Sequence, residues 1–259
     1  MIVKLDISKS LDQNAADYFE KSKKAKKKLD GSIGTKIRYE KELEKLIKSH
    51  EIEQENKIEI VIRKKQWYEK FRWFYTSKGF FVIGGRDATT NDMVIKKHTD
   101  KDDLIFHTDM AGSPFFVLKT EGKKVDKETL KEVANATCTF SKAWKLGIQS
   151  QDVFYVNSDQ VTKKQDAGTA HLAKGSFMIY GKTNYVDNNV DLCVCVLEDG
   201  SVMAGPEISV KKKNKDYVKL IQGSEKVSKV AKLISKRLKV ADLDEIIRVL
   251  PSGGFKVVN

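Results

Sequence analysis

Residues 79–92 read GFFVIGGRDATTND, and the use made of this stretch decides how the rest of the chain is read. Phe80 to Ile83 form an apolar run of strand character that ends abruptly at Gly84 and Gly85, followed by Arg86 and Asp87. Two uses fit such a junction. In the first, Gly84 and Gly85 permit a bulge or a positive-φ turn, and Arg86 pairs locally with Asp87. In the second, an arginine fork beside open backbone N–H groups meets a phosphate. The residue types leave both open. The stretch lacks G-x-x-x-x-G-K-[S/T] and G-x-G-x-x-G, so neither common nucleotide-binding loop is supported.

Working outward, DLIFHTD (103–109), SPFFVLKT (113–120), DVFYVNSDQV (152–161), GSFMIYG (175–181) and VDLCVCVLEDGSVMAG (190–205) read as further strands, the last as a hairpin around EDG. DKETLKEVANATCTFSKAWKLG (126–147) reads as a helix with Asp126 as its cap, and residues 223–259 hold two short helices and a closing strand. Strands with interspersed helices predict an α+β domain around a mixed sheet.

Upstream the character changes. IVKLDI (2–7) alternates apolar and charged residues as a short strand does. Ser8 or Ser10 then caps a helix whose apolar positions, from Leu11 through Ala15, Leu29, Ile33 and Ile37 to Leu46, step mostly by three or four. That seam is narrow, as in one arm of a coiled coil, and the chain offers no second stretch to pair with it. Four regions result: a short strand over 1–9 that pairs with a partner chain, a coiled-coil arm over 10–56, a core over 57–187 and an extension over 188–259 packed on that core.

The 259 residues carry 48 lysines and arginines against 36 acidic residues, a net charge of +12. This excess favours a polyanionic partner, and no apolar stretch approaches the ~20 residues of a membrane span. The N-terminus lacks a signal-peptide core, which predicts a cytoplasmic protein. The three cysteines, Cys138, Cys193 and Cys195, form no metal-ligand set; Cys193 and Cys195 flank Val194 on one face and read as core thiols. His107 and Asp109 stand two apart at a strand end, which suits a metal or a general base, yet two ligands are too few and a hydrogen-bonded histidine is the commoner outcome. Ser141 reads as a local hydrogen-bonding residue. No catalytic residue, metal or cofactor is expected. RKKQWYEKFRWFYTS (63–77) concentrates bases and aromatics, and Lys163, Lys164, Lys174 and Lys182 would form a basic rim; with Arg72, Trp73 and Tyr75 they combine charge and stacking surface as RNA-binding proteins do.

Taken in order, KFRWFYTSKGFFVIGGRDATTND, DLIFHTDMAGSPFFVLK, CTFSKAW and DQVTKKQDAGTAHLAKGSFMIYGKTNY resemble the successive motifs of the NFACT-R domain, found in the ribosome-associated quality-control factors (NEMF in eukaryotes, RqcH in bacteria). ISKSLDQNAADYFEKSKKAKKKLDG resembles the family's second coiled-coil arm, and DEIIRVLPSGGFKVV the terminal segment of archaeal members. The chain departs at Ala111, where members usually carry a second histidine, and at Thr162, Lys163 and Lys164, where they usually read Ser-Lys-Thr.

The resemblance implies action on the large ribosomal subunit bearing an obstructed nascent chain–tRNA, with tRNA recruited for C-terminal tailing. The NFACT-N domain, which carries tRNA selection in relatives, has no counterpart here. The expectation is a split protein: a separate NFACT-N chain supplies the opposite arm and pairs with the N-terminal strand. The other reading is a stand-alone RNA-binding module in RNA processing or tRNA modification. Contact with large-subunit RNA or tRNA is expected at Arg72, Trp73, Arg86, Lys163, Lys174 and Lys182. A site-shaping role is expected for Gly84, Gly85, Asp87, Asn91, His107, Asp109 and Gln160.

Overall fold

A computed structural model describes residues 3–55, 63–163 and 172–258. Lys164 and His171, with the loop between them, and residues 56–62 at the head of the expected core lie outside the described residues. The chain divides into two units, Met1–Lys57 and Ile58–Asn259.

In the first unit one helix, α1, runs from Leu11 to Glu55 without a break at Gly31 or Gly34. At ~1.5 Å per residue it extends about 68 Å. Ser10 is the cap: its Oγ accepts the Gln13 N–H at 3.2 Å while Gln13 Oε1 accepts the Ser10 N–H at 3.0 Å. Leu11, Phe19, Leu29, Ile33, Ile37 and Leu43 are all exposed, so within this unit no described residue covers the seam. Residues 3–6 form no ladder with any described strand. They turn back on the start of the helix, where Asn14 Oδ1 accepts the Asp6 N–H at 2.8 Å and the Tyr18 hydroxyl donates to the Lys4 carbonyl at 2.6 Å.

The second unit is built on a six-stranded sheet. Its strands are β1 (Arg72–Tyr75), β2 (Phe81–Gly84), β3 (Leu104–Thr108), β4 (Phe116–Lys119), β5 (Val153–Asn157) and, beyond a small β6 (Val161–Thr162)–β7 (Met178–Ile179) hairpin, β8 (Asn184–Val186); the spatial order is β1-β2-β4-β3-β5-β8. Helix α2 (Ala88–Lys97) follows β2, and α3 (Lys127–Thr139) with the short α4 (Lys142–Leu146) follows β4. A second sheet, β10-β9-β11-β12, uses β9 (Leu192–Val196), β10 (Val202–Gly205), β11 (Tyr217–Glu225) and β12 (Phe255–Val258), with α5 (Glu207–Lys213), α6 (Val227–Leu238) and α7 (Leu243–Val249) between its strands.

The α+β class stands. Every pairing among the described strands is antiparallel, which narrows the mixed sheet that was expected. Short hairpin-type links suffice for this arrangement, whereas parallel neighbours need longer crossovers.

Both faces of the first sheet are covered. Val82, Phe106, Phe116 and Leu118 pack with α3 and the second sheet into the larger core, while Ile83, Ile105 and Val117 meet Val94 of α2 on the other face. Residues 188–259 contribute Leu192, Val194, Val218, Ile234 and Phe255 to the larger core. Cys138, Cys193 and Cys195 are free and buried, and burial pushes the Cys195 thiol up to about 12.

The helix expected over 126–147 is two helices. Asp126 caps the first by accepting the Thr129 N–H at 2.8 Å, and Ser141 caps the second by accepting the Ala143 N–H at 3.0 Å while donating to the Cys138 carbonyl.

Candidate nucleic-acid interface

The antiparallel register brings the start of β1, the end of β2, the start of β4 and the end of β3 to one edge of the sheet: Arg72 opposes Gly84, Gly84 opposes Phe116, and Phe116 opposes Phe106. A cavity of about 470 Å³ opens at this edge. Its walls come from Arg72, the 86–91 corner, His107, the 111–115 turn, the α3–α4 junction, residues 174–177 and Ser252.

The GGRD junction is a helix start. Asp87 caps α2 by accepting the Thr90 N–H at 2.8 Å, and the Thr90 hydroxyl accepts the Arg86 and Asp87 N–H groups. Neither Gly84 nor Gly85 has positive φ, and the β1–β2–β4 ladder passes Gly84 without a bulge, so both halves of the turn reading are corrected. The glycines serve close approach: a Cβ on Gly84 would lie 2.5 Å from the Phe116 ring, and one on Gly85 would lie 1.8 Å from Asn91 Oδ1. Asn91, buried, uses that oxygen to accept the Phe115 N–H at 3.2 Å, fastening the 111–115 turn to α2. The expected local Arg86–Asp87 ion pair is not formed, because the cap holds the carboxylate on Thr90.

The cavity is strongly cationic. Arg72, Arg86, Lys142, Lys145 and Lys174 line it against one carboxylate, Asp87. The Thr90 N–H, then the Thr90 hydroxyl, hold that carboxyl below its usual range in spite of partial burial. Burial, then repulsion from Arg248, pushes the Arg86 pKa down. His107 lies stacked on Phe115, ring centroids 4.1 Å apart, with Nε2 3.2 Å from the Ser113 carbonyl; a carbonyl only accepts, so Nε2 carries the proton. Burial lowers the His107 pKa, leaving the ring neutral at pH 7. Phe177 meets Phe115 edge-on at 5.5 Å and completes an aromatic wall.

Thus Arg72, Arg86, Asp87, Asn91, His107 and Lys174 converge on one cavity, while the other expected residues do other work. Trp73 is 3% exposed and belongs to the larger core, so its assignment to RNA contact is corrected: both faces of this sheet are covered and the indole has no open face. Lys163 is tied to Asp92 at 2.8 Å beneath the Phe177 ring. Gln160 braces the β6–β7 hairpin by donating to the Tyr180 and Lys182 carbonyls at 2.7 and 3.0 Å, and the exposed Lys182 lies outside the cavity lining. Asp109 is exposed and accepts the Tyr185 hydroxyl at 3.2 Å.

Lys142, Lys145 and the aromatic pair Phe115 and Phe177 escaped the sequence reading. A helix start marked by Ser141 with two lysines in its one turn was the available signal for the first two. Asp191, Cys193 and Glu207 also bring potential ligand atoms within 4.8 Å of one another, but Glu207 already holds Lys211 at 2.6 Å, the Tyr217 hydroxyl at 3.0 Å, and Lys219.

Residues 70–181 match the family described as the NFACT protein RNA binding domain. The archaeal Rqc2 homolog aRqcH of Methanocaldococcus jannaschii is 41% identical over 202 residues, covering 76% of this chain and 30% of that protein. The ribosome quality control complex subunit NEMF homolog of Drosophila melanogaster is 32% identical over 190 residues, covering 71% of this chain and 19% of that protein.

 The human subunit NEMF is 31% identical over 176 residues, 67% of this chain and 16% of that protein. The chain therefore spans less than a third of the length of each of these relatives. The matched stretch, 70–181, contains the strand-end glycines, the α2 cap and most of the cationic cavity, and the wider similarity extends beyond it. Residues 70–181 thus form an NFACT RNA-binding domain, and over most of its length the chain is similar to one part of each of these ribosome quality control proteins.

Proposed function

We propose that the chain acts in ribosome-associated quality control as an RNA-gripping part, with the cavity at the sheet edge as the grip. The observation that carries this reading is the imbalance of the cavity lining, five cationic side chains against one carboxylate that is engaged as a helix cap. Phosphate is the ligand such a surface suits, and the half-buried Phe177 ring offers stacking surface beside it. The RNA is that of the large subunit or the tRNA it holds, and the role is support for tRNA recruitment during C-terminal tailing. The chain works by binding, with no chemistry of its own.

The exposed seam of α1 supports a second element of the proposal, a partner helix contributed by an NFACT-N-containing chain. It also disfavours the stand-alone module in RNA processing or tRNA modification, which has no use for an uncovered apolar seam.

Two measurements test the reading. Affinity for single-stranded RNA should fall with salt, each phosphate contact contributing about 0.7 to the slope of log affinity against log salt. Affinity purification of the full chain should retain large-subunit components and an NFACT-N protein. Absence of RNA binding at low salt would overturn the grip, and a monomeric chain without ribosomal particles would overturn the assembly.

A further inference from the structure

Arg72 sets the chemistry of the cavity. Its side chain is 8% exposed, lies over the Phe140 ring at 4.4 Å and donates from Nη1 to the Leu250 carbonyl at 3.3 Å. Its Nε has no acceptor, and no described carboxylate pairs with it. Buried guanidinium groups ordinarily sit against carboxylates, because an uncompensated charge in the interior is costly. Here burial and the positive charge of Arg86 together push the Arg72 pKa down to about 9. Arg86, Lys142, Lys145 and Lys174 at the mouth likewise form no ion pair with a described residue. The cavity therefore holds a buried, unpartnered donor at its wall and a ring of uncommitted cations at its opening.

We propose, building on the RNA-binding reading above, that this cavity receives the terminal phosphate of an RNA strand, a phosphomonoester at an unpaired end, in preference to the phosphodiesters along the backbone. Charge favours the end: a phosphomonoester carries about 1.5–2 negative charges at pH 7, against a single charge on a diester. Access favours it as well. An internal phosphate is flanked by ribose on both sides and is held at the mouth, whereas a terminal phosphate can enter head-on toward a buried guanidinium. The space fits, since about 470 Å³ is within the range of pockets that enclose a small molecule. The half-buried Phe177, braced edge-on by the buried Phe115, stands where the last base would lie.

The test compares one single-stranded RNA with a 5′-phosphate, a 3′-phosphate or hydroxyls at both ends, titrated against the full chain by fluorescence anisotropy. One phosphorylated end should bind about tenfold or more tightly than the hydroxyl form, in keeping with charge-assisted hydrogen bonds. Arg72→Met, which keeps an apolar stem over Phe140, should erase that preference. The Arg86→Ala/Lys174→Ala variant, altered only at exposed positions, should reduce it and guards against misfolding of the first. Equal affinity for all three RNAs, with the salt slope retained, would overturn the end preference and leave the RNA grip standing. No binding to any of them would overturn both. Tight binding of adenosine monophosphate without any advantage for phosphorylated RNA would assign the cavity to free nucleotides and overturn the proposal.

Discussion

Asp92 Oδ1 lies 2.8 Å from the Lys163 ammonium. The same oxygen accepts the Gly175 N–H at 2.9 Å, so one carboxylate on α2 fastens positions 163 and 175. Lys163 is thereby a structural cation, whereas Lys174 lines the cavity.

This division predicts different salt behaviour. Lys174→Ala should lower the slope of log RNA affinity against log salt by about 0.7, one contact, while Lys163→Ala should leave it near the wild-type value. Equal reductions in a sodium chloride series would show that Lys163 also meets phosphate.

Trp73 offers a second test. Trp73→Ala should cost about 3–5 kcal/mol of stability in chemical denaturation, as removal of a large buried ring does. Trp73→Phe should retain RNA affinity. A selective loss of affinity at unchanged stability would return the indole to the RNA surface.

At Gly85 a single methyl group would collide with the Asn91 side chain. Gly85→Ala should therefore displace Asn91 from the Phe115 N–H, with a stability loss of about 1–3 kcal/mol and weakened RNA binding. Thermal melts together with anisotropy would measure both, and a variant unchanged in each would show that the turn does not depend on Asn91.

Acid stability should depend on Glu207. Hydrogen bonds from Lys211 and Lys219 hold its pKa down to about 2, below an ordinary value of 4.5. A carboxyl depressed in the folded state stabilises fully above its unfolded pKa and loses that contribution as pH falls through the folded one. Glu207→Gln should flatten the stability profile between pH 4.5 and about 2, which denaturant midpoints across that range would detect.

Much of this architecture is legible before any coordinates. The strands announce themselves by apolar runs, and Asp126 and Ser10 mark helix starts through the geometry of their caps. Helix α2 is hidden because ATTNDMVIKK is rich in β-branched and short polar residues of modest helix propensity; the Asp87–Thr90 reciprocity is its one clear signal. Strand β1 misleads for a different reason. In a sheet covered on both faces, apolar residues no longer alternate with polar ones, so RWFY resembles a display of aromatics when Trp73 and Phe74 are core. Convergence at the cavity is legible only in part. Arg86 and His107 stand at a helix start and a strand end and Lys174 in a turn, where function is expected, but Lys142 and Lys145 reach them only through the packing of α3 and α4.

The family match stops at residue 181, yet Arg72 donates to Leu250, Trp144 donates to the Gly254 carbonyl at 3.0 Å, and Gly205 lies so close to Phe74 that a Cβ there would come within 3.1 Å of its ring. A gene fragment truncated at the end of that match would strip away the second sheet's share of the larger core, the carbonyl that holds Arg72, and Ser252 of the cavity lining. Swapping this domain between relatives must carry the last seventy or so residues along as one cassette.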